Sequence, residues 1–202
     1  MANVVTLMLM TGRTHDLAAV TALGALLVIH PIGNVNLATV LIAFVANQFG
    51  GIAPDIDQPT APLWRNLPIG GSVGKVIHKM LGGHRFITHS LFGVALFAGL
   101  SNLLLQFLHP IMHRVDSTLV WYAFIVGMLS HLVMDTLTKE GVPWLLPIPI
   151  KFGLPPLRAL RITTGKSMEK LLFLLLLAGD IWYCASHYQH LVSVFRAIVA
   201  RG

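Results

Sequence analysis

Charged side chains are scarce in this sequence. They make up 11% of its 202 residues, less than half of the roughly 25% that is typical of a soluble domain. Apolar residues make up 55% of the chain, and its mean hydropathy is +0.74. A water-soluble globular domain is therefore excluded, and the sequence predicts an integral membrane protein.

The sequence also lacks the features of exported and disulfide-stabilised proteins. Its single cysteine, Cys184, excludes an intramolecular disulfide and leaves the redox compartment open. The apolar stretch 4–10 is short, has no charged residue before it and no small-residue cleavage site behind it, so we expect no cleavable signal peptide. The formal net charge of +6 is expected to mark cytoplasmic loops rather than a nucleic-acid partner.

Apolar runs set the predicted architecture. They cover residues 17–32, 35–48, 87–108, 118–137 and 171–185. A membrane-spanning helix needs about 20 apolar residues, so the third and fourth runs are long enough, and the sequence leaves open whether the other three cross fully. We predict an all-α integral membrane bundle of about five helices, with one domain over residues 1–202.

Two long polar loops, 50–85 and 139–170, separate the runs. Eleven of the fourteen lysines and arginines lie in these loops or just before the first run. Because basic residues are retained on the cytoplasmic side, both loops are predicted to be cytoplasmic, in a multi-pass protein of the inner (plasma) membrane.

The polar residues with metal-binding chemistry gather at the same predicted side. They are His15, Asp55, Asp57, His84, His89, His131, Asp135 and Glu169. Unrelated polar residues would be scattered over both ends of the bundle. The sequence therefore predicts a site at the cytoplasmic ends of the helices.

One pair in this group lies inside an apolar run. His131 and Asp135 are four residues apart and share one face of a helix, and a carboxylate at membrane depth is functional by default. A hydrogen-bonded pair that packs two helices together is the alternative. We favour a metal, because it would both neutralise Asp135 and fix His131.

The two loop motifs are open to more than one interpretation. Asp55 and Asp57, in a turn stiffened by flanking prolines, suit a shared cation, although an Asx-turn would need only one of them. If the helix begins at residue 87, Arg85 and His89 share a face. On one interpretation the histidines of this stretch, His84 and His89, supply one or two metal ligands and Arg85 binds an anionic substrate. On the other, the stretch is a positive cluster that contacts lipid headgroups.

Residues near 167 predict the start of the last helix. Ser167 is expected to cap it, with Glu169 in its first turn. Glu169 is also a candidate general base, although capping is the favoured role.

These motifs, in this order, resemble the membrane-bound metal-dependent hydrolases of the bacterial inner membrane, the YdjM-like group. The resemblance rests on Thr14-His15, Pro54-Asp55-Ile56-Asp57-Gln58-Pro59, His84-Arg85 with Thr88-His89-Ser90, and Ser130-His131 with Asp135, Thr138 and Gly141-Val142-Pro143. It implies a helical inner-membrane protein with a metal-dependent hydrolase site. A fainter similarity is to zinc-dependent phospholipase C and P1-type nucleases, whose His-x-x-x-Glu pair is not found here.

Together the residues and the resemblance give a functional hypothesis. The predicted metal ligands are His15, Asp55, His89, His131 and Asp135, with His84 and Asp57 as second choices. Imidazole and carboxylate ligands favour zinc or manganese. Asp57 or Glu169 would accept a proton, and Arg85 would hold an anionic oxygen.

The expected substrate is a phosphoester such as a lipid headgroup, and the expected partners are membrane lipid and a small-molecule or lipid substrate, with no nucleic acid. The sequence leaves the oligomeric state open. The alternative function is a metal-ion or proton transporter that uses the same cluster.

Overall fold

The structure is a computed structural model that describes residues 2–29, 35–83, 85–148 and 150–201, with the side chains of residues 2–11 and of Pro62 left out. Within those ranges the α-helices are α1 (Ala2–Ile29), α2 (Leu37–Ile52), α3 (Pro62–Arg65), α4 (Gly70–Met80), α5 (Leu91–Leu108), α6 (Ser117–Thr136), α7 (Ser167–Ser186) and α8 (Tyr188–Val199). Two 3-10 helices, Ala53–Asp57 and Arg158–Leu160, lie in the long loops. The only β-pairing among these residues is two isolated bridges, which confirms the predicted all-α class.

Four segments are long and apolar enough to cross a membrane. They are Gly12–Ile29, Leu37–Asp57, Leu91–Leu108 and Ser117–Thr136. In the described part of the chain, α7 and α8 make a fifth if this pair, bent by 79°, counts as one span. The prediction of a bundle with about five membrane helices is confirmed. The helices that contain the first two apolar runs are long enough to cross the membrane.

The first helix differs from its prediction. The apolar pattern places its start at residue 17, whereas α1 begins at Ala2. Residues 2–16 contain no proline, and a glycine such as Gly12 costs a helix only about 1 kcal/mol relative to alanine. The helix therefore continues toward the N-terminus, and His15 lies within it rather than at its start.

The helix that follows the first long loop also begins elsewhere than predicted. Ser90 is its N-cap, and the Ser90 hydroxyl accepts a hydrogen bond from the Gly93 N–H at 3.1 Å. A serine in this position ends the preceding turn and starts the helix. The expectation that Arg85 and His89 share a helix face is therefore wrong, because both lie in the turn before α5.

The closest helix contact in the bundle is between α2 and α6. A Cβ at Gly127 would collide with the backbone carbonyl of Asn47, and one at Gly50 with that of Phe124. Small residues let helix backbones approach each other in this way. The Asn47 side chain then donates to the Ala123 carbonyl at 3.1 Å. This contact brings the end of α2 beside the end of α6.

Replacing Gly127 by alanine is expected to destabilise the bundle by about 1–3 kcal/mol, because overpacking forces backbones apart. Gly99→Ala is the matched control, since a Cβ at Gly99 in α5 meets nothing within 4 Å. The measurement is the midpoint of thermal unfolding in detergent. Equal midpoints for the two variants would contradict this account of the contact.

The first long loop is held against the bundle by two side chains. Trp64 donates from Nε1 to the Ile56 carbonyl at 3.0 Å, and Nδ1 of His78 lies 2.8 Å from the Asp57 carbonyl. Both contacts are to the backbone of the 3-10 helix Ala53–Asp57. They fix the position of the two aspartates of that turn.

Candidate metal centre

Five imidazole and carboxylate side chains meet at one end of the bundle, and we call them the His/Asp cage. They are His15 in α1, Asp55 in the 3-10 helix after α2, His89 just before α5, and His131 and Asp135 in α6. Four of the side chains are at most 11% exposed, whereas that of Asp55 is 39% exposed. The structure thus brings together the five residues that the sequence predicted as ligands.

Two histidine nitrogens of the cage lie close to the same two carboxylate oxygens. Nε2 of His89 lies 3.3 Å from Oδ2 of Asp135 and 3.9 Å from Oδ1 of Asp55. Nε2 of His131 lies 3.8 Å and 3.7 Å from the same two oxygens. Atoms that bind zinc tetrahedrally, with bonds of about 2.0–2.1 Å, are about 3.4 Å apart. The four distances start at about this value, so each of the two nitrogens is near ligand spacing from both oxygens.

His15 extends the cage on one side. Its ring stacks on that of His131 with the centroids 4.0 Å apart, and its Nε2 lies 3.5 Å from Oδ1 of Asp135. Two overlapping groups could therefore hold an ion, one made of His15, His131 and Asp135 and the other of Asp55, His89 and His131. Because Nε2 of His131 has one lone pair, both groups cannot be complete at once, and one principal ion is indicated.

His131 is oriented by the backbone of α2. Its Nδ1 lies 2.6 Å from the carbonyl oxygen of Gly51, an acceptor that requires Nδ1 to carry the proton. The lone pair is then on Nε2, which faces the carboxylates of the cage. Histidines that bind metals are held in this way by an acceptor on the other ring nitrogen.

His89 is oriented by Thr88 and Asp57. The Thr88 hydroxyl donates to Oδ2 of Asp57, so its single hydrogen is used there. Nδ1 of His89, 2.9 Å from the same hydroxyl, must therefore be the donor to it. This relay again leaves Nε2 to face the cage. Asp57 is fully buried and also accepts from the Arg85 backbone N–H at 3.1 Å.

The predicted role of Asp57 as a ligand or proton acceptor has no support in this arrangement. Among the described residues Asp57 belongs to neither group that could hold a metal. The structure places it behind His89, where it supports the ring from the side opposite the cage.

The electrostatics of the cage favour a cation. Burial opposes protonation of His89, but the nearby carboxylates of Asp135 and Asp57 outweigh it and raise the pKa of the imidazole to about 9. Nδ1 of His15 and Oδ2 of Asp135 are buried and have no hydrogen-bond partner among the described residues, although buried polar atoms are normally satisfied. A divalent ion would supply the missing positive charge, so these residues fit a metal.

Arg85 contacts the cage from outside. Its guanidinium donates to Oδ1 of Asp135 at 2.8 Å and to the Thr138 hydroxyl at 3.1 Å, and it lies 3.5 Å from Glu140. Its backbone has a φ of 58°, a conformation that L-residues rarely adopt. Its predicted grip on an anionic substrate stays a prediction. What the structure shows is that Arg85 fixes one oxygen of Asp135.

Glu169 joins two helices instead of facing the cage. Its Oε1 accepts from the Thr14 hydroxyl at 3.1 Å and its Oε2 from the Gly165 N–H. The expected cap, Ser167, is instead the first residue of α7, and Lys166 occupies the cap position. One oxygen of Glu169 ties α1 to α7 and the other accepts from the backbone just before α7, so both are engaged and the predicted role as a base has no support here.

Two further points concern residues outside the cage. His84, the remaining predicted ligand, lies outside the described residues. Sequence reasoning missed Asp180 of α7, whose Oδ2 accepts from the Thr21 hydroxyl of α1 at 2.8 Å. The signal was available, because a carboxylate within an apolar helix needs a partner.

The fold and the cage define an integral membrane helical protein with a buried cluster of histidines and aspartates. This chain belongs to the YdjM inner membrane protein family, whose model matches residues 10–195. The resemblance found in the sequence motifs is thereby confirmed at the level of the family.

Individual relatives cover most of the chain. It is similar to the uncharacterized protein YvsG of Bacillus subtilis (strain 168), with 28% identity over 174 residues that cover 86% of this chain and 94% of that protein. It is also similar to the inner membrane protein YdjM of Escherichia coli (strain K12), with 32% identity over 131 residues, or 65% of this chain and 61% of that protein. No solved structure matches the chain.

Proposed function

We propose that this protein is a membrane-bound metal-dependent hydrolase that acts on a phosphoester, such as a lipid headgroup, at the cytoplasmic face of the inner membrane. One observation carries the proposal. Two histidines are each held through Nδ1, His131 by Gly51 and His89 by Thr88 and Asp57, so that both present Nε2 to the same two carboxylates. At a metal centre, hydrogen bonds to Nδ1 fix the tautomer and the orientation of histidines that bind through Nε2.

The donor set supports zinc or manganese. Two to three imidazole nitrogens and two carboxylates suit zinc and manganese, and they do not suit a calcium or magnesium site made of oxygens alone. When bound, such an ion would supply Lewis acidity and would lower the pKa of a water.

The residues of the chain divide the remaining work. Arg85 holds Oδ1 of Asp135, which leaves Oδ2 to face Nε2 of His89 at 3.3 Å. Asp55 is the most exposed member of the cage, so substrate and water would approach along it. In this proposal Asp55 would approach the ion through Oδ1 and accept the proton through its other oxygen, because Asp57 and Glu169 already accept hydrogen bonds from other parts of the chain.

The position of the cage supports the substrate class. His15 lies in the first turn of one candidate membrane span and Asp135 in the last turn of another, which is the depth at which headgroups meet the hydrocarbon. Eleven of the fourteen basic residues lie on that side of the bundle, which by the positive-inside rule is the cytoplasmic side. A phosphoester at the membrane surface would therefore reach the cage in an environment that attracts anions.

The second candidate function is a metal-ion or proton transporter. The hydrogen bond between Thr21 and Asp180 favours it, because it places a carboxylate farther along the bundle than the cage. A transport path needs polar groups at several depths, and this pair is a single step beyond a cage that otherwise gathers at one level. We therefore rank the hydrolase first.

Hydrolysis of a short-chain phosphatidic acid or phosphatidylglycerol in mixed micelles is expected to depend on the metal. Phosphorus NMR would follow the released headgroup. Chelator treatment should abolish turnover and added zinc or manganese should restore it, because the metal provides the attacking water. Asp135→Asn should be inactive, whereas His113→Ala, a change at an exposed histidine in the turn after α5, should be active.

Other results would overturn the hydrolase. Turnover that survives chelation would show that the cage is not its centre. If the metal-loaded protein hydrolyses no phosphoester but transports zinc or protons across the membrane of proteoliposomes, the transporter would be established instead.

A further inference from the structure

A cavity of about 260 Å³ lies between α1 and α7, and we call it the cationic cleft. It is lined by Arg13, Thr14, Gly165, Lys166, Glu169, Lys170, Phe173 and Leu174. We infer that the cationic cleft binds the phosphate group of an anionic phospholipid, with an acyl chain along α7. This inference does not depend on whether the His/Asp cage catalyses hydrolysis, because none of its five residues lines the cleft.

The lining of the cleft is charged at one end and apolar at the other, as a phospholipid is. Lys166, Lys170, Phe173 and Leu174 are spaced by 4, 3 and 1 residues, which places them along one face of the start of α7. The two lysines come first and the two apolar residues follow about one turn later. The apolar end continues onto the surface of α7, where Leu174 and Leu175 are 58% and 61% exposed. An acyl chain would lie on this surface without leaving the membrane.

Positive charges outnumber negative ones among the described residues that line the cleft. Three cations, Arg13, Lys166 and Lys170, face a single carboxylate, that of Glu169. Glu169 is 7% exposed and already accepts hydrogen bonds from Thr14 and Gly165. The cleft therefore has an excess of positive charge that is open to an external anion.

The two lysines also stand at an unfavourable end of their helix. The N-terminus of a helix is positive and stabilises anions there. Here, however, Lys166 is at the N-cap position of α7 and Lys170 lies in its first turn, and the side chain of Lys166 makes no capping hydrogen bond. An anion between these lysines would relieve their repulsion by the helix and would accept from the backbone N–H groups. Charge placement thus points to the same ligand as the cavity does.

An anionic phospholipid suits the cleft better than a zwitterionic one. A choline or ethanolamine headgroup would bring its own cation among Arg13, Lys166 and Lys170. A glycerol headgroup, or a bare phosphate monoester on diacylglycerol, leaves the phosphate charge unmasked. Clusters of basic residues at the cytoplasmic end of membrane helices recognise anionic lipids through this difference.

The test measures binding of dioctanoyl-phosphatidylglycerol to the full-length protein in detergent, through the rise in its thermal midpoint with lipid concentration. Dioctanoyl-phosphatidylcholine and inorganic phosphate are titrated in parallel. We expect saturable stabilisation by the phosphatidylglycerol, and about 30-fold weaker apparent binding in a Lys166→Ala/Lys170→Ala variant, because two contacts between a lysine and an anionic headgroup are lost.

The matched control is Lys75→Ala/Lys79→Ala. These two exposed lysines of α4 have the same spacing and carry the same charge, and their removal should leave the binding unchanged. Equal weakening in both variants, or equal stabilisation by phosphatidylcholine, would overturn the inference. Inorganic phosphate that binds as well as the lipid would show an anion site without an acyl chain and would also overturn it.

The same titration separates this site from the cage. His131→Ala should bind phosphatidylglycerol as the unmodified protein does, since His131 does not line the cleft. If the unmodified, metal-loaded protein binds phosphatidylglycerol but hydrolyses no phosphoester, the proposed enzyme is rejected and the lipid site still stands.

Discussion

The protein with His131→Ala is expected to purify with almost no metal, whereas His15→Ala and Asp55→Ala retain a part of it. His131 belongs to both groups of side chains that could hold an ion. Loss of His15 leaves the group of Asp55, His89 and His131 complete, and loss of Asp55 leaves the other group. Elemental analysis per chain, after dialysis against a fixed concentration of free zinc, should show about one ion in the unmodified protein and about a tenth of that or less in His131→Ala, because the ligand shared by both groups is removed.

The control for this series is His113→Ala. It removes an exposed imidazole from the turn after α5, so it tests whether histidines of the chain bind zinc indiscriminately. Full metal content in His131→Ala would show that metal binds elsewhere. Equal losses in His131→Ala and His15→Ala would show that both groups act as one inseparable site, with more than four ligands.

The members of the cage could be predicted from the sequence because the signals were local to each helix end. His131 and Asp135 share a face through the helical period alone, and both are in the cage. The convergence of distant residues followed from a second regularity, that polar groups at the same end of several membrane helices lie at one level. These two regularities required no knowledge of which helices touch.

The roles around the cage could not be predicted, and the turn before α3 shows why. The sequence makes Asp55 the preferred ligand but leaves Asp57 as a second ligand or a proton acceptor, and both lie in a 3-10 helix. With three residues per turn, side chains two positions apart point about 120° away from each other. Asp55 therefore faces the cage and Asp57 faces Thr88 and the backbone of Arg85. Only the turn geometry decides which of the two is a candidate ligand.

Tertiary contacts decide the remaining roles. Glu169 was a candidate base on its charge alone, but its partner Thr14 is 155 residues away in the chain. The backbone carbonyl of Gly51 orients His131. Because every residue has such a carbonyl, the residue type does not predict this role. The close approach of α2 and α6 at Gly127 is what brings this carbonyl into place.

Arg85→Gly is expected to destabilise the metal-free protein by about 3–5 kcal/mol, the cost of leaving one member of a buried ion pair without its partner. The side chains of Arg85 and Asp135 are 11% and 2% exposed, and they are joined at 2.8 Å. Glycine is chosen because the φ of Arg85 is 58°, which glycine adopts without strain. Thermal unfolding in detergent, with and without zinc, measures the effect.

Zinc should stabilise Arg85→Gly more than it stabilises the unmodified protein, because the ion then provides the only positive charge beside Asp135 apart from protonated imidazoles. The double variant Arg85→Gly/Asp135→Asn removes both charges and should recover much of the stability of the metal-free form while losing its response to zinc. If Arg85→Gly unfolds at the same temperature as the unmodified protein, Arg85 does not hold Asp135 in place. A double variant that still gains stability from zinc would exclude Asp135 from the metal centre.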